Sequence, residues 1–167
     1  MARCAMRRKV LDPKIQLLLR LLDQAYDKKA WHGTTLRGSL RGLTPKQALW
    51  RPGPRRHNIW EIVLHAAYWK YIVGRKISGR IDLSFPRPGS NWFPLPDSRD
   101  AKAWKKDVAL LQEQHDQLRA ALENFPAAKL YARAPKSIWS YAEHIYGVAH
   151  HDLYHTGQIQ LLKRLQR

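Results

Sequence analysis

Apolar residues recur at intervals of three and four along most of this chain, which is the spacing of a buried helix face. The pattern predicts a first helix from Pro13, a favoured residue in a first turn, to about residue 41, with a kink at Gly33. A second helix is predicted from Asn58 to about residue 74. Asn58 and Glu61 have the spacing of a capping box, and the following sequence is apolar on nearly every side. The second helix should therefore be buried against several neighbours.

Two further helices complete the pattern. A third is predicted from residue 100 to residue 125, where Pro126 ends it, and a fourth starts near Ser137 or Ser140 and runs to residue 167. No segment shows the alternation of a strand. The connection between the second and third helices, residues 76–98, carries four prolines and is long enough for these two helices to run parallel. The prediction is an all-α, four-helix bundle in up-down-down-up order.

The composition fits one globular domain, predicted over residues 13–167, after a basic and flexible segment at residues 1–12. With 167 residues, 44% of them hydrophobic, the chain has enough apolar material for a core. Cys4 is the only cysteine, so histidine must supply any soft metal ligand and no disulfide framework can form within the chain. No apolar run reaches membrane-spanning length, and a cytoplasmic protein is expected.

The balance of charges is strongly basic, with 30 Lys and Arg against 13 Asp and Glu, a net charge of +17. Such a field attracts anions, so a helical module that binds nucleic acid is an alternative function. The basic residues are scattered, however, and form no dense block or groove-reading motif. This distribution favours a solvated basic surface over specific nucleic-acid recognition.

Histidines carry the candidate chemistry. His151 and His155 lie four residues apart in the fourth helix, so both imidazoles point from one face. His65 lies in the middle of the buried second helix, and in an up-down-down-up bundle its depth allows it to meet that pair. Three imidazoles on one ion would leave a coordination position open, as in catalytic metal sites. A buried histidine such as His65 is otherwise more typical of a hydrogen-bonded core residue.

The segments NIWEIVLHAAYW and AHHDLYHTGQIQLLKR together resemble the DinB-like (DinB/YfiT-like) metalloenzyme family, from about residue 17 to the end of the chain. The specific part of the resemblance is His151, His155, Gly157 and Gln158. It implies an up-down-down-up bundle, often a homodimer, with His65, His151 and His155 holding a divalent metal ion, commonly zinc or nickel. Some members of the family are similar to low-molecular-weight thiol transferases, and many have no assigned reaction.

Other residues are candidates for supporting roles around this site. His32 and His115 are predicted proton carriers, although packed core or rim histidines are the favoured alternative. Asp152 is expected to face solvent and His150 to lie on the surface. Glu61 is expected to cap its helix rather than act as a base. Five residues are predicted to line the pocket: Trp31, Tyr68, Trp69, His144 and Gln158.

The predicted function is that of a metal-dependent enzyme acting on a small molecule. The ion would lower the pKa of a bound thiol or water. A thiol transferase is the first choice by resemblance, a metal-dependent hydrolase the second, and the basic nucleic-acid-binding module the third. The sequence has no Ser-His-Asp order, phosphate-binding glycine loop or dinucleotide fingerprint.

Overall fold

The computed structural model describes residues 10–167, and within this part of the chain every regular element is helical. The elements are α1 (Pro13–Tyr26), α2 (Leu36–Ser39), α3 (Pro45–Leu49), α4 (Ile59–Ser78), α5 (Ala101–Glu123) and α6 (Tyr141–Leu165), with a 3-10 turn at Ala127–Lys129. Four of them are long: α1, α4, α5 and α6. The all-helical class is confirmed. Most of the predicted N-terminal segment, including Cys4, lies outside the described residues, and residues 10–12 precede α1 without helical structure.

The predicted capping boxes start α4 and α6. Asn58 Oδ1 accepts from the Glu61 amide at 2.8 Å, and Glu61 Oε2 accepts from the Asn58 amide at 3.1 Å. Ser140 and Glu143 make the same reciprocal pair at the start of α6. The second predicted helix continues one turn further than expected, to Ser78, where Gly79 ends it in the left-handed region with φ +71°.

The first predicted helix was too long. It ends at Tyr26, where the amides of both Asp27 and Lys28 bond to the Asp23 carbonyl, and the chain turns through Gly33 at φ +98°. Leu36 and Leu40, whose spacing extended the predicted helix, lie at the start of α2 and just after its end, and α2 begins at a separate cap, Thr35. Leu36 and Leu40 are still buried in the core. The periodicity of apolar residues correctly indicated that Leu36 and Leu40 are buried, but not that a separate short helix buries them.

The core consists of two apolar clusters with a polar layer between them. One cluster is built around Trp60, Leu64, Leu111 and Ile159. The other is built around Leu22, Leu118, Leu122 and Ile145. Between them along α4, α5 and α6 lie four polar side chains that are 0–4% exposed: Lys70, Gln114, His115 and Asp152.

The connection from α4 to α5 is irregular and is fastened to the bundle. Arg87 pairs with Asp107, which is 1% exposed and also accepts from Trp60 Nε1 at 2.7 Å. Phe93 is buried in the same core cluster. These contacts hold the loop against α4 and α5 and bring its middle, Asn91 and Trp92, beside α6. Among the helices of residues 10–167, none has the length and apolar character needed to cross a membrane.

Candidate metal centre

Three histidines from two helices meet inside the bundle. α4 contributes His65, and α6 contributes His151 and His155 from successive turns. The Nε2 atom of His151 lies 3.0 Å from Nε2 of His65 and 3.0 Å from Nε2 of His155. One nitrogen from each ring lies within 4.8 Å of the others. The structure therefore brings together the three residues that the sequence singled out as metal ligands.

Hydrogen bonds on the far side of two rings fix which nitrogen faces inward. His65 Nδ1 lies 2.9 Å from the carbonyl oxygen of Asn91, which can only accept. His155 Nδ1 lies 2.7 Å from Oε1 of Gln158. Both Nδ1 atoms therefore carry the proton, and both Nε2 atoms present lone pairs to the centre. Within the described residues, the buried Nδ1 of His151 has no partner.

Burial keeps these rings neutral. Desolvation, reinforced by the neighbouring imidazoles, lowers the pKa of His151 to about 3 and that of His155 to about 4. Burial also lowers the pKa of His65. At neutral pH all three imidazoles are therefore in the neutral form, with one ring nitrogen free to bind a metal ion.

The donor set fits a divalent ion. A tetrahedral zinc site with Zn–N bonds of ~2.0–2.1 Å separates its ligand nitrogens by roughly 3.3 Å, close to the spacing here. The Nε2 lone pairs of His65 and His155 both face Nε2 of His151. That atom carries at most one proton, so it can donate to only one of them. A cation among the three nitrogens would satisfy all of them. The cluster could therefore hold a metal ion.

An aromatic stack forms one wall of the centre. The Trp92 ring lies 3.9 Å from the His65 ring, nearly parallel to it, and its centroid also lies 3.6 Å from that of His57, again nearly parallel. His57 is in turn 3.2 Å from the carboxylate of Glu61, the capping residue of α4. The long loop thus covers the ligand histidine of α4 with an indole and orients it with the Asn91 carbonyl.

Two separate clefts reach the histidines. The first has a volume of about 480 Å³ and is mainly apolar. Besides His65 and His151 it is lined by Trp69, Val73, Asn91, Trp139, His144, Gly147 and Val148. The second, of about 620 Å³, touches all three histidines. Its other lining residues include Arg55, Arg56, His57, Trp92, Tyr154 and Gln158. A molecule in either cleft would lie against the candidate metal centre.

A protein-family model matches most of the chain. The model described as the DinB superfamily matches residues 29–159, which include all three histidines. The chain belongs to the DinB superfamily. Neither the curated proteins nor the solved structures yield a match to it.

In this DinB protein, some of the other residues predicted to support the site lie beside the candidate centre and others lie away from it. Trp69 and His144 line the first cleft, and Gln158 contacts His155 and lines the second. His144 is not one of the three clustered histidines, and its Nε2 is bonded to Ser137 Oγ at 2.9 Å. Tyr68 packs instead against Phe85 and Phe93 beneath the loop.

The other predicted residues lie away from the candidate centre. Trp31 and His32 follow α1 in an exposed turn and line neither cleft, because α1 ends at Tyr26 instead of continuing to about residue 41. His115 is buried and stacked on Tyr26, with its ring nitrogens facing Lys70 and Asp23. It too lines neither cleft. The structure does not bring either predicted proton carrier to the candidate centre.

Asp152 corrects a second expectation. It was predicted to face solvent, but it is fully buried and pairs with Lys70, also fully buried. The prediction failed because α6 contacts α1, α2 and α4, so it has no single apolar face from which to read the phase. A signal was present in the partner: Lys70 is the one Lys or Arg in residues 58–74, which are mostly apolar. His150 is exposed, as predicted.

The hydrogen bond from His155 to Gln158 yields a testable prediction. We expect Gln158→Leu to weaken metal binding about 10- to 100-fold, because outer partners of ligand histidines typically contribute that much. Competition with a chromogenic zinc chelator measures the affinity. Gln160→Leu is the matched control, since Gln160 lies on the same helix and contacts Thr34 instead. Equal affinities in the two variants would show that Gln158 does not orient the ligand.

Proposed function

We propose that His65, His151 and His155 bind one divalent ion, zinc or nickel, and that this DinB protein is a metal-dependent enzyme. The reaction we propose is attack of a low-molecular-weight thiolate on an electrophilic carbon of a small organic acceptor. The S–C bond forms as the bond from that carbon to its leaving group breaks, and the thiol proton is released to solvent. The observation that carries the metal site is the convergence of three Nε2 atoms, two of them presenting lone pairs to the third. Such a cluster has more nitrogen lone pairs than protons to satisfy them, and a bound cation would satisfy the remainder.

The bound ion would act as a Lewis acid and lower the pKa of a bound thiol, so that the thiolate forms near neutral pH. The protein keeps the ligands neutral and oriented. Burial keeps the three imidazoles neutral, and the Asn91 carbonyl and Gln158 hold two of them in the orientation that points Nε2 inward. Trp92 stacks on one face of the His65 ring. Three protein ligands leave room for a substrate atom in a four-coordinate site.

The two clefts favour transfer over hydrolysis. A transferase must hold two organic molecules at once, whereas a hydrolase needs one and water. The first cleft offers Trp69 and Trp139 to an apolar acceptor, and the second offers Arg55 and Arg56 to a polar or anionic thiol. Both reach His65 and His151.

We further propose the up-down-down-up order for α1, α4, α5 and α6. The irregular connection from α4 to α5 supports it, because its length lets the chain return to the end of the bundle where α4 begins. An experimental structure in which α4 and α5 run antiparallel would exclude this order.

The experiment is an assay of thiol conjugation. Zinc- or nickel-loaded protein is mixed with monochlorobimane and, in turn, cysteine, N-acetylcysteine and glutathione, and the fluorescent adduct is followed. With at least one of these thiols, we expect the adduct to form about tenfold faster or more with the wild-type protein than with the His155→Ala variant. A metal-dependent release of p-nitrophenol from p-nitrophenyl acetate without any thiol, and no conjugation, would replace the transferase with the hydrolase. Equal rates in wild type and variant for both reactions would refute an enzymatic role for the centre.

A further inference from the structure

A large groove lies away from the metal centre. It has a volume of about 800 Å³ and runs between the C-terminal halves of α4 and α5, with the chain that follows α5 closing one end. Its floor is apolar and is formed by Tyr71, Ile77, Leu118, Phe125 and Tyr141. Gly74 lets the two helices come close here, since a Cβ at that position would lie 3.4 Å from Leu118 Cα. None of the three candidate metal ligands lines this groove.

The charged residues of the groove are all basic. Among its lining residues no Asp or Glu occurs. Arg80 pairs with Asp82, and Lys70 with Asp152. Within the described part of the chain, Arg75, Lys76 and Lys129 have no carboxylate partner, and Arg75 and Lys76 reach only backbone carbonyl oxygens. The groove therefore combines an apolar floor with three cations that make no ion pair among the described residues.

Two buried polar atoms in the groove lack partners among residues 10–167. Gln114 is 4% exposed, and its Oε1 makes no hydrogen bond. The Nε atom of Arg75 is likewise buried without an acceptor. Unpaired buried polar groups are rare because each forfeits its hydration without compensation. A bound molecule with acceptor oxygens would satisfy the Arg75 donor, and the Gln114 amide can present either its oxygen or its NH₂ group.

We propose that this groove is a second binding site, which takes a small organic anion with a carboxylate or phosphate head group and an apolar body. The head group would lie among Arg75, Lys76 and Lys129, and the apolar body would cover Leu118 and Phe125. The volume falls in the range of about 300–1,000 Å³ that is typical of small-molecule sites. An inorganic anion would leave the apolar floor uncovered, whereas an amphiphilic anion uses both features.

Decanoate is a suitable probe, and isothermal titration calorimetry gives its affinity and stoichiometry. We expect about one decanoate per chain, and no comparable binding of decylammonium. The double variant Lys76→Gln/Lys129→Gln should bind decanoate about tenfold more weakly, because each ammonium group contributes a charge-assisted contact. The matched control is Lys105→Gln/Lys106→Gln. It removes the same charge from exposed positions on α5 that do not line the groove, and its affinity should equal that of wild type.

Two further variants distinguish binding in this groove from binding to a metal ion or to a lipid surface. A carboxylate could also bind a metal ion, so the titration is repeated with His151→Ala, which should bind decanoate like wild type. Ala121→Phe places a ring in the groove and should abolish binding. Equal affinity in the lysine double variant and its control, loss of binding in His151→Ala, or binding only to vesicles containing anionic phospholipid would each overturn the proposal. The thiol-transfer assay does not depend on any of these results.

Discussion

Replacing His151 with alanine is expected to remove the divalent metal from the protein while leaving its fold intact. Nε2 of His151 is the common neighbour of the other two ligand atoms, at 3.0 Å from each. Without it, two imidazoles on different helices remain, too few for a stable four-coordinate site. Its side chain contributes little to the apolar core, so the loss of stability should be small.

Elemental analysis after zinc loading and gel filtration measures the effect. Wild type should retain about one zinc per chain and His151→Ala less than about one tenth of that. His150→Ala is the matched control, because His150 precedes His151 on the same helix and is exposed. It should keep its metal. Undiminished zinc in His151→Ala, with circular dichroism showing a folded protein, would place the metal elsewhere.

The second large effect concerns the buried pair Lys70–Asp152. We expect Asp152→Ala to lower the free energy of unfolding by roughly 3–5 kcal/mol, because it leaves a fully buried ammonium group without a counter-charge. Burial raises the pKa of Asp152, the direction expected where a carboxyl group is removed from solvent. The pair lies in the polar layer between the two apolar clusters, and both side chains are fully buried.

Urea denaturation followed by circular dichroism measures this loss. The double variant Lys70→Met/Asp152→Leu should recover most of the stability, since replacing both charges with apolar side chains removes the desolvation cost. Removing the exposed Arg80–Asp82 pair should have little effect. If Asp152→Ala unfolds at the same urea concentration as wild type, the ammonium group must reach water or another partner, contrary to the structure.

The pair of histidines on α6 was the part of the site most directly predictable from the sequence. Residues four apart on a helix share a face whatever surrounds them, so His151 and His155 could be placed together from spacing alone. Their meeting with His65 depends on how α4 packs against α6, and the family resemblance supplied that step. The capping boxes at Asn58 and Ser140 were equally readable, because they depend only on residues three apart.

Features that depend on tertiary contacts could not be predicted from the sequence. Asn91 has φ +63°, a conformation that no sequence pattern in the loop specifies, and it orients His65 through its backbone carbonyl. The stacking of Trp92 between His65 and His57 likewise depends on the path of the loop. The end of α1 was missed because Leu36 and Leu40 keep a helical spacing after the helix has stopped.

The central claim is that three imidazole nitrogens from α4 and α6 ligate one ion. X-ray absorption spectroscopy of the zinc-loaded protein tests it most directly, since the scattering reports the number and type of ligands. We predict three imidazole nitrogens at ~2.0–2.1 Å in wild type and a loss of this signal in His65→Ala. A shell of oxygen ligands, or an unchanged imidazole count in His65→Ala, would contradict the account.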